Sequence, residues 1–288
     1  MTVLVGVHGV GHQQAGRHQL LARWSLALAD GLERAYGATV AVPDLDIAFY
    51  GDLVWQHHQD RGKGVLDGGV WEEFDDDELR DLAASMRDLI GEHELAAAEQ
   101  LPSAKGYTRV PQAIVRLLSV LDTRFGPTAV VLFVSQFRQV RRYLREPLVK
   151  AEVDARVRGT VGGDCRVLIG HSLGSVVAFE FVRQNPEHRL DLLLTLGSPL
   201  GLRMVRERMA DPGHGSSAIW GVPGNVSHWV NVRDVHDPVA CAGDLTTWWP
   251  GVVDRHVVNQ GDAHCAERYL GKRVCGQAIL AAVPDLVA

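Results

Sequence analysis

Cysteine is scarce and scattered in this chain: Cys165, Cys241, Cys265 and Cys275 are all there is. No two of them form a C-x-x-C pair, so neither a thiolate zinc site nor the disulfide framework of a small secreted domain is expected. Long apolar runs are missing as well. None approaches the roughly 18 residues that a membrane-spanning helix needs. The opening MTVLVGVHGVGHQQ has no basic leader and no extended apolar segment, so it reads as strand and loop rather than a signal peptide, and a cytoplasmic chain is expected. Nor is there an excess of basic charge. The 29 Lys and Arg stand against 35 Asp and Glu, a net charge of −6, which argues against a nucleic-acid partner. Internal repeats and low-complexity segments are absent.

What is present is ordinary globular material. The 288 residues are 46% hydrophobic and 22% charged, enough for a real core in one large domain or two small ones. Thr2 to Val7 is a short β-rich run ending in His8-Gly9-Val10-Gly11. Arg17 to Tyr36 carries Leu20, Leu21, Trp24, Leu28 and Leu32 on one helical face, with Gly37 as its stop. Thr39 to Phe49 reads as a second strand. Strand, helix, strand points to a parallel sheet in an α/β fold.

From about residue 51 to 160 the pattern becomes mostly helical. Asp75-Asp76-Asp77-Glu78 opens a helix with Leu79, Leu82, Met86, Leu89 and Ile90 inward; acidic residues in a first turn suit the helix dipole, which is favoured over a metal-binding reading. Ile114 to Leu121 is a further helical stretch. Ala129 to Val134 taken alone resembles a strand, but the spacing continues through Phe137, Val140 and Leu144, so a helix is predicted. Alternation then resumes. Strands are expected at Arg166 to Ile169, Leu192 to Leu196, Trp229 to Val232 and Val252 to Val258. Helices are expected from Ser175 to Gln184 and from Cys265 to Ala282. The chain therefore divides into a core, 1–50 and 161–288, and a helical insertion, 51–160.

The strongest chemical signal is Gly170-His171-Ser172-Leu173-Gly174, a G-x-S-x-G placed between the strand Val167-Leu168-Ile169 and the helix beginning Ser175-Val176-Val177. A nucleophile elbow needs this strand–turn–helix setting: the flanking glycines make room for a sharp, strained turn, and the helix N-terminus favours developing negative charge. The bland reading is a Gly-rich turn with an ordinary capping serine. His8 and His12 have i,i+4 spacing, but Gly9 and Gly11 disfavour a helix there and no Glu follows His8, so a zinc motif is not supported. Gly6, Gly9 and Gly11 do not make a dinucleotide fingerprint.

These motifs, with the His8-Gly9 loop, Thr195-Leu196-Gly197-Ser198-Pro199 and the late acidic and histidine segments, resemble the α/β-hydrolases of the lipase and esterase kind. The resemblance covers roughly 1–50 and 160–288. It implies a mostly parallel sheet flanked by helices, a reduced form of the eight-strand plan, and the chain order serine, acid, histidine. The long stretch between first strand and elbow departs from that plan unless the helical insertion is a cap, with Leu117, Leu118 and Leu121 lining an acyl pocket. The resemblance further implies that the loop after the first strand supplies one oxyanion-hole N–H, for which Val10 is favoured, and the residue after the serine, Leu173, the other. The acid must follow Ser172. Asp234 and Asp237 both lie past the strand expected to end near Val232, and Asp237-Pro238-Val239 is similar to the family's acid loop, so Asp237 is preferred. The histidine is expected after the last strand. His264, in a polar loop and followed at a distance by Tyr269-Leu270 as in the family's closing segment, is preferred to His256.

The resemblance thus implies a serine esterase working through Ser172, His264 and Asp237 on a small acyl ester or thioester, without metal or organic cofactor. Thioesterase or acyltransferase action on a carrier-bound acyl group uses the same groups. A peptidase or amidase is less favoured, and a catalytically silent binding protein of the same fold is the alternative of a different class. Asn225-Val226-Ser227 fits a glycosylation sequon, read as inert. Trp248-Trp249-Pro250 is read as packing under the sheet edge, with a wall of the acyl pocket as the alternative.

Overall fold

A computed structural model of the chain describes residues 3–10, 16–55, 74–99, 112–209 and 221–287. Its elements run β1 (Leu4–Val7), α1 (Arg17–Tyr36), β2 (Leu45–Ala48), α2 (Gly51–Trp55), α3 (Asp76–Leu89), α4 (Glu92–Glu99), α5 (Gln112–Phe125), α6 (Pro127–Arg145) and α7 (Pro147–Thr160). Then follow β3 (Val167–His171), α8 (Leu173–Gln184), β4 (Leu190–Leu196), α9 (Arg203–Met209), β5 (Val226–Asp234), β6 (Val253–Val257), α10 (Ala266–Leu270) and α11 (Arg273–Ala282). Among the described residues the six strands form one sheet in the order β2-β1-β3-β4-β5-β6, and every neighbouring pair is parallel.

Alternation along each strand sends side chains into two separate apolar layers. Leu4, Ile47, Val167, Ile169, Leu192 and Leu194 pack with Trp24 and Leu28 of α1 and with Tyr269, Cys275 and Ile279 of α10 and α11. Val5, Val7, Leu168 and Leu193 pack on the opposite face with α8 and with the helices that follow β2. Strands buried on both faces explain the nearly continuous apolar runs at β3 and β4.

The helical insertion after β2 comprises α3 to α6. The last helix of the expected 51–160 block, α7, packs against α6 and also against α8 and β2, since a parallel connection must return along the sheet face. Ion pairs tie α3 to α6: Arg141 meets Glu78 at 3.4 Å and Asp81 at 3.0 Å, and Arg145 meets Asp81 at 2.7 Å. The acidic run is a helix start, with Asp75 as N-cap of a complete capping box.

Several boundaries differ from expectation. β2 covers only Leu45–Ala48, because the segment before it is drawn back to α1 by Val40 N–H donating to Glu33 Oε1 at 3.2 Å. β5 runs on to Asp234. The closing helix is two helices, since Lys272 takes extended backbone as the N-cap of α11. No described helix is long and apolar enough to cross a membrane.

Candidate active site

From β1 the chain adds β2 on one side and β3 with all later strands on the other, and a crevice at the carboxyl ends of strands at such a switch point is where open α/β sheets place ligands. Register sets the two strand ends level: Val7 pairs with Gly170, so Val10 and Leu173 each lie three residues beyond a matched pair. Gly9 presses on the serine, since a Cβ there would sit 2.6 Å from Ser172 Cβ. The elbow glycines are close-packed too. A Cβ on Gly170 would lie 2.5 Å from Ser175 Cα, and one on Gly174 would lie 2.0 Å from the Val7 carbonyl oxygen.

Ser172 has φ 56° and ψ −127° and precedes α8 in the N-cap position, yet its side chain makes no capping bond. A left-handed φ on a non-glycine residue is costly, typically about 1–3 kcal/mol, and clusters at functional sites. The ordinary capping-serine reading therefore does not describe it. Ser172 N–H donates to Leu196 O at 3.0 Å, and Ser172 Oγ donates to Gln136 Oε1 of α6 at 2.9 Å. Ser172 and Gln136 are both buried.

His264 and Asp237 meet. Nδ1 of the histidine lies 2.9 and 2.8 Å from the two carboxylate oxygens, which assigns the proton to Nδ1 and leaves Nε2 with its lone pair. That Nε2 is buried and has no hydrogen-bond partner among the described residues. Asp237 is wholly buried, a placement that demands multiple donors. Val239 N–H donates to it at 2.9 Å, Ala240 N–H at 3.4 Å and the Tyr269 hydroxyl at 2.7 Å. Burial, reinforced by the Asp237 charge, pushes the Tyr269 phenol far above its ordinary value, so it remains a donor. Gly197 at φ 52° closes over the pair: a Cβ would lie 2.6 Å from Asp237 Oδ2 and 3.2 Å from His264 Nδ1. His171, beside the serine, bonds through Nε2 to the His264 carbonyl at 2.8 Å.

The other sequence candidates have different duties. Asp234 is a buried strand residue, not a loop residue. It accepts from His236 N–H at 2.9 Å and from Asn259 N–H, thereby fastening the chain past β6. His256 lies on the exposed side of edge strand β6. His8 is buried; its Nε2 accepts from Tyr50 N–H at 3.1 Å, its Nδ1 lies 2.6 Å from Gly9 O, and it stacks on Tyr50 at 4.2 Å. Gly11, His12, His57 and His58 lie outside the described residues. Leu117 and Leu121 are buried in the apolar layer with Leu173. Trp249 packs on Phe179 and donates to Leu200 O at 3.0 Å. Asn225 spends its amide on three carbonyls, those of Val182, Asn185 and His188.

Sequence reasoning missed Gln136. The signal was a lone polar side chain on the inward face Phe133, Gln136, Phe137, Val140. Tyr269 was noticed only as part of a pattern, without a role. The molecule is thus an α/β protein in which Ser172 stands at the switch point of a parallel sheet, while His264 pairs with Asp237 beyond the ends of β6 and β5. No family model matches the chain, and neither a curated protein nor a solved structure matches it.

Proposed function

We propose that the protein is a serine hydrolase of the α/β-hydrolase type that cleaves carboxylic esters through an acyl-enzyme. The observation that carries this reading is the His264–Asp237 pair, with a buried Nε2 left without a partner among the described residues, in a chain whose elbow serine sits in strained backbone. Ser172 Oγ attacks the acyl carbonyl carbon and gives its proton to His264 Nε2. Asp237 holds the Nδ1–H tautomer and stabilises the imidazolium. The backbone N–H groups of Val10 and Leu173 receive the oxyanion. Collapse breaks the bond to the alcohol, which leaves with the proton from His264. Water then repeats the sequence and frees the acid. The α3–α6 insertion acts as a cap, supported by the contact between Gln136 and Ser172. A thioester would follow the same steps.

One observation favours a silent binding protein: the Ser172 hydroxyl donates to Gln136, leaving His264 Nε2 unengaged. A fluorophosphonate probe separates the readings. The wild type should label stoichiometrically, and Ser172→Ala should fold, by circular dichroism, yet take no label. A wild type that resists the probe, or a labelled Ser172→Ala, would sink the assignment.

A further inference from the structure

The carboxamide of Gln136 stands beside the atom to which an acyl group would bond, its Oε1 accepting from Ser172 Oγ. An acyl carbon bonded to Ser172 Oγ stands within van der Waals reach of an atom 2.9 Å from that oxygen. Around it the same helix presents Phe133, Phe137 and Val140, all buried in one apolar layer with Leu117, Leu121 and Leu173. A buried carboxamide facing hydrocarbon loses its partner and is left unsatisfied, which is unfavourable. A plain alkyl acyl chain would displace the Ser172 hydroxyl from Gln136 Oε1 and offer nothing in return.

Helix α6 is also fixed in place. Besides the ion pairs to α3, Tyr143 donates to Asp154 of α7 at 2.7 Å, and Phe133 and Phe137 are buried against the core. A helix anchored at several points keeps Gln136 over the serine when substrate arrives, rather than swinging it away as a lid would. We infer that Gln136 is a specificity-determining residue. Through its carbonyl oxygen it selects acyl esters that carry a hydrogen-bond donor, such as a hydroxyl, close to the scissile carbonyl in an otherwise apolar acyl group. The inference rests on the serine-hydrolase reading above. A site built to bond a substrate hydroxyl discriminates strongly against the isostere that lacks it, because its own polar group is left unpaired.

The test compares p-nitrophenyl 3-hydroxybutyrate with p-nitrophenyl 3-methylbutyrate, which differ by hydroxyl for methyl. The wild type is expected to favour the hydroxy ester in kcat/KM by at least about tenfold. In Gln136→Leu, and in the near-isosteric Gln136→Met should the first fail to fold, that ratio is expected to collapse to within about twofold of one. A wild type that labels with fluorophosphonate but shows no preference, or cleaves neither ester, overturns the inference alone. So does a variant that keeps the wild-type ratio. A variant that speeds both esters equally marks Gln136 as a restraint on the nucleophile and also overturns it. Absence of labelling in the wild type removes the hydrolase reading, and the inference with it.

Discussion

Asp234 and Asp237 are three residues apart and both are buried, yet they answer to different donors. Asp237 faces an imidazole, a phenol and two backbone amides. Asp234 faces the N–H and the exposed imidazole of His236, at 2.9 and 3.2 Å, and the N–H of Asn259. Amidation should therefore hurt in different currencies. Asp237→Asn removes the acceptor that fixes the Nδ1–H tautomer and is expected to lower kcat by about 10²–10⁴, by the logic that holds for the same change in a serine protease. Asp234→Asn turns an NH₂ toward an N–H and is expected to cost about 1–3 kcal/mol of stability, read by denaturant unfolding. A greater kcat loss in the Asp234 variant would reverse the assignment. Asp237 was preferred from the chain because Asp-Pro-Val is a local pattern, and its contact with His264 is a matter of the fold. Gln136 could not be found, because its meaning lies in a partner 36 positions away. Tyr269 is similar: its hydroxyl reaches across 32 positions to Asp237, and only the fold brings the histidine and acid loops together.

At the scale of elements, legibility followed length and punctuation. Helix α1 was read to the residue because twenty residues keep one periodic face and Gly37 takes φ 85° to end it. The end of β5 was misplaced because Arg233 and Asp234 look like loop residues, although β6 pairs with both. Helix α3 was legible from its cap. The carboxylate of Asp75 accepts from Glu78 N–H at 2.6 Å, and this bond, with the Arg141 charge, holds its pKa below the ordinary carboxylate value. A depressed folded-state pKa gives stability that is full above the unfolded value and fades as pH falls through the folded one. Asp75→Ala is expected to destabilise by about 0.5–2 kcal/mol at neutral pH and to narrow the gap to wild type in acid. Equal melting temperatures at pH 7 would show that the capping box contributes nothing.

At the scale of the whole molecule, the described residues form two apolar layers sharing one sheet, and each layer holds a buried thiol. Cys165 belongs to the face covered by α7 and α8, Cys275 to the face covered by α1 and α11. Burial raises both thiols to about 12, so at pH 8 almost no thiolate forms in the folded state, and exposure on unfolding restores ordinary reactivity. Iodoacetamide at pH 8 is expected to spare both until denaturant unfolds the chain, and then to modify both at one midpoint. Separate midpoints would mean that one layer opens independently of the other.

Strand β1 sits between a near neighbour in sequence and a remote one: Leu4 pairs with Leu45 on one side and with Val167 on the other. The second pairing must close a loop that contains the entire insertion. Closure entropy grows with loop length, and contacts so distant in sequence form slowly. The helices of the insertion, held by local bonds and the α3–α6 ion pairs, need not wait for it. Gly9 meets Ser172 only through that remote pairing, so the elbow and the loop facing it come together late in folding. A chain emerging from synthesis or caught half-folded would carry Ser172 apart from the glycine loop that faces it, and that pocket would take shape only when the centre of the sheet has closed.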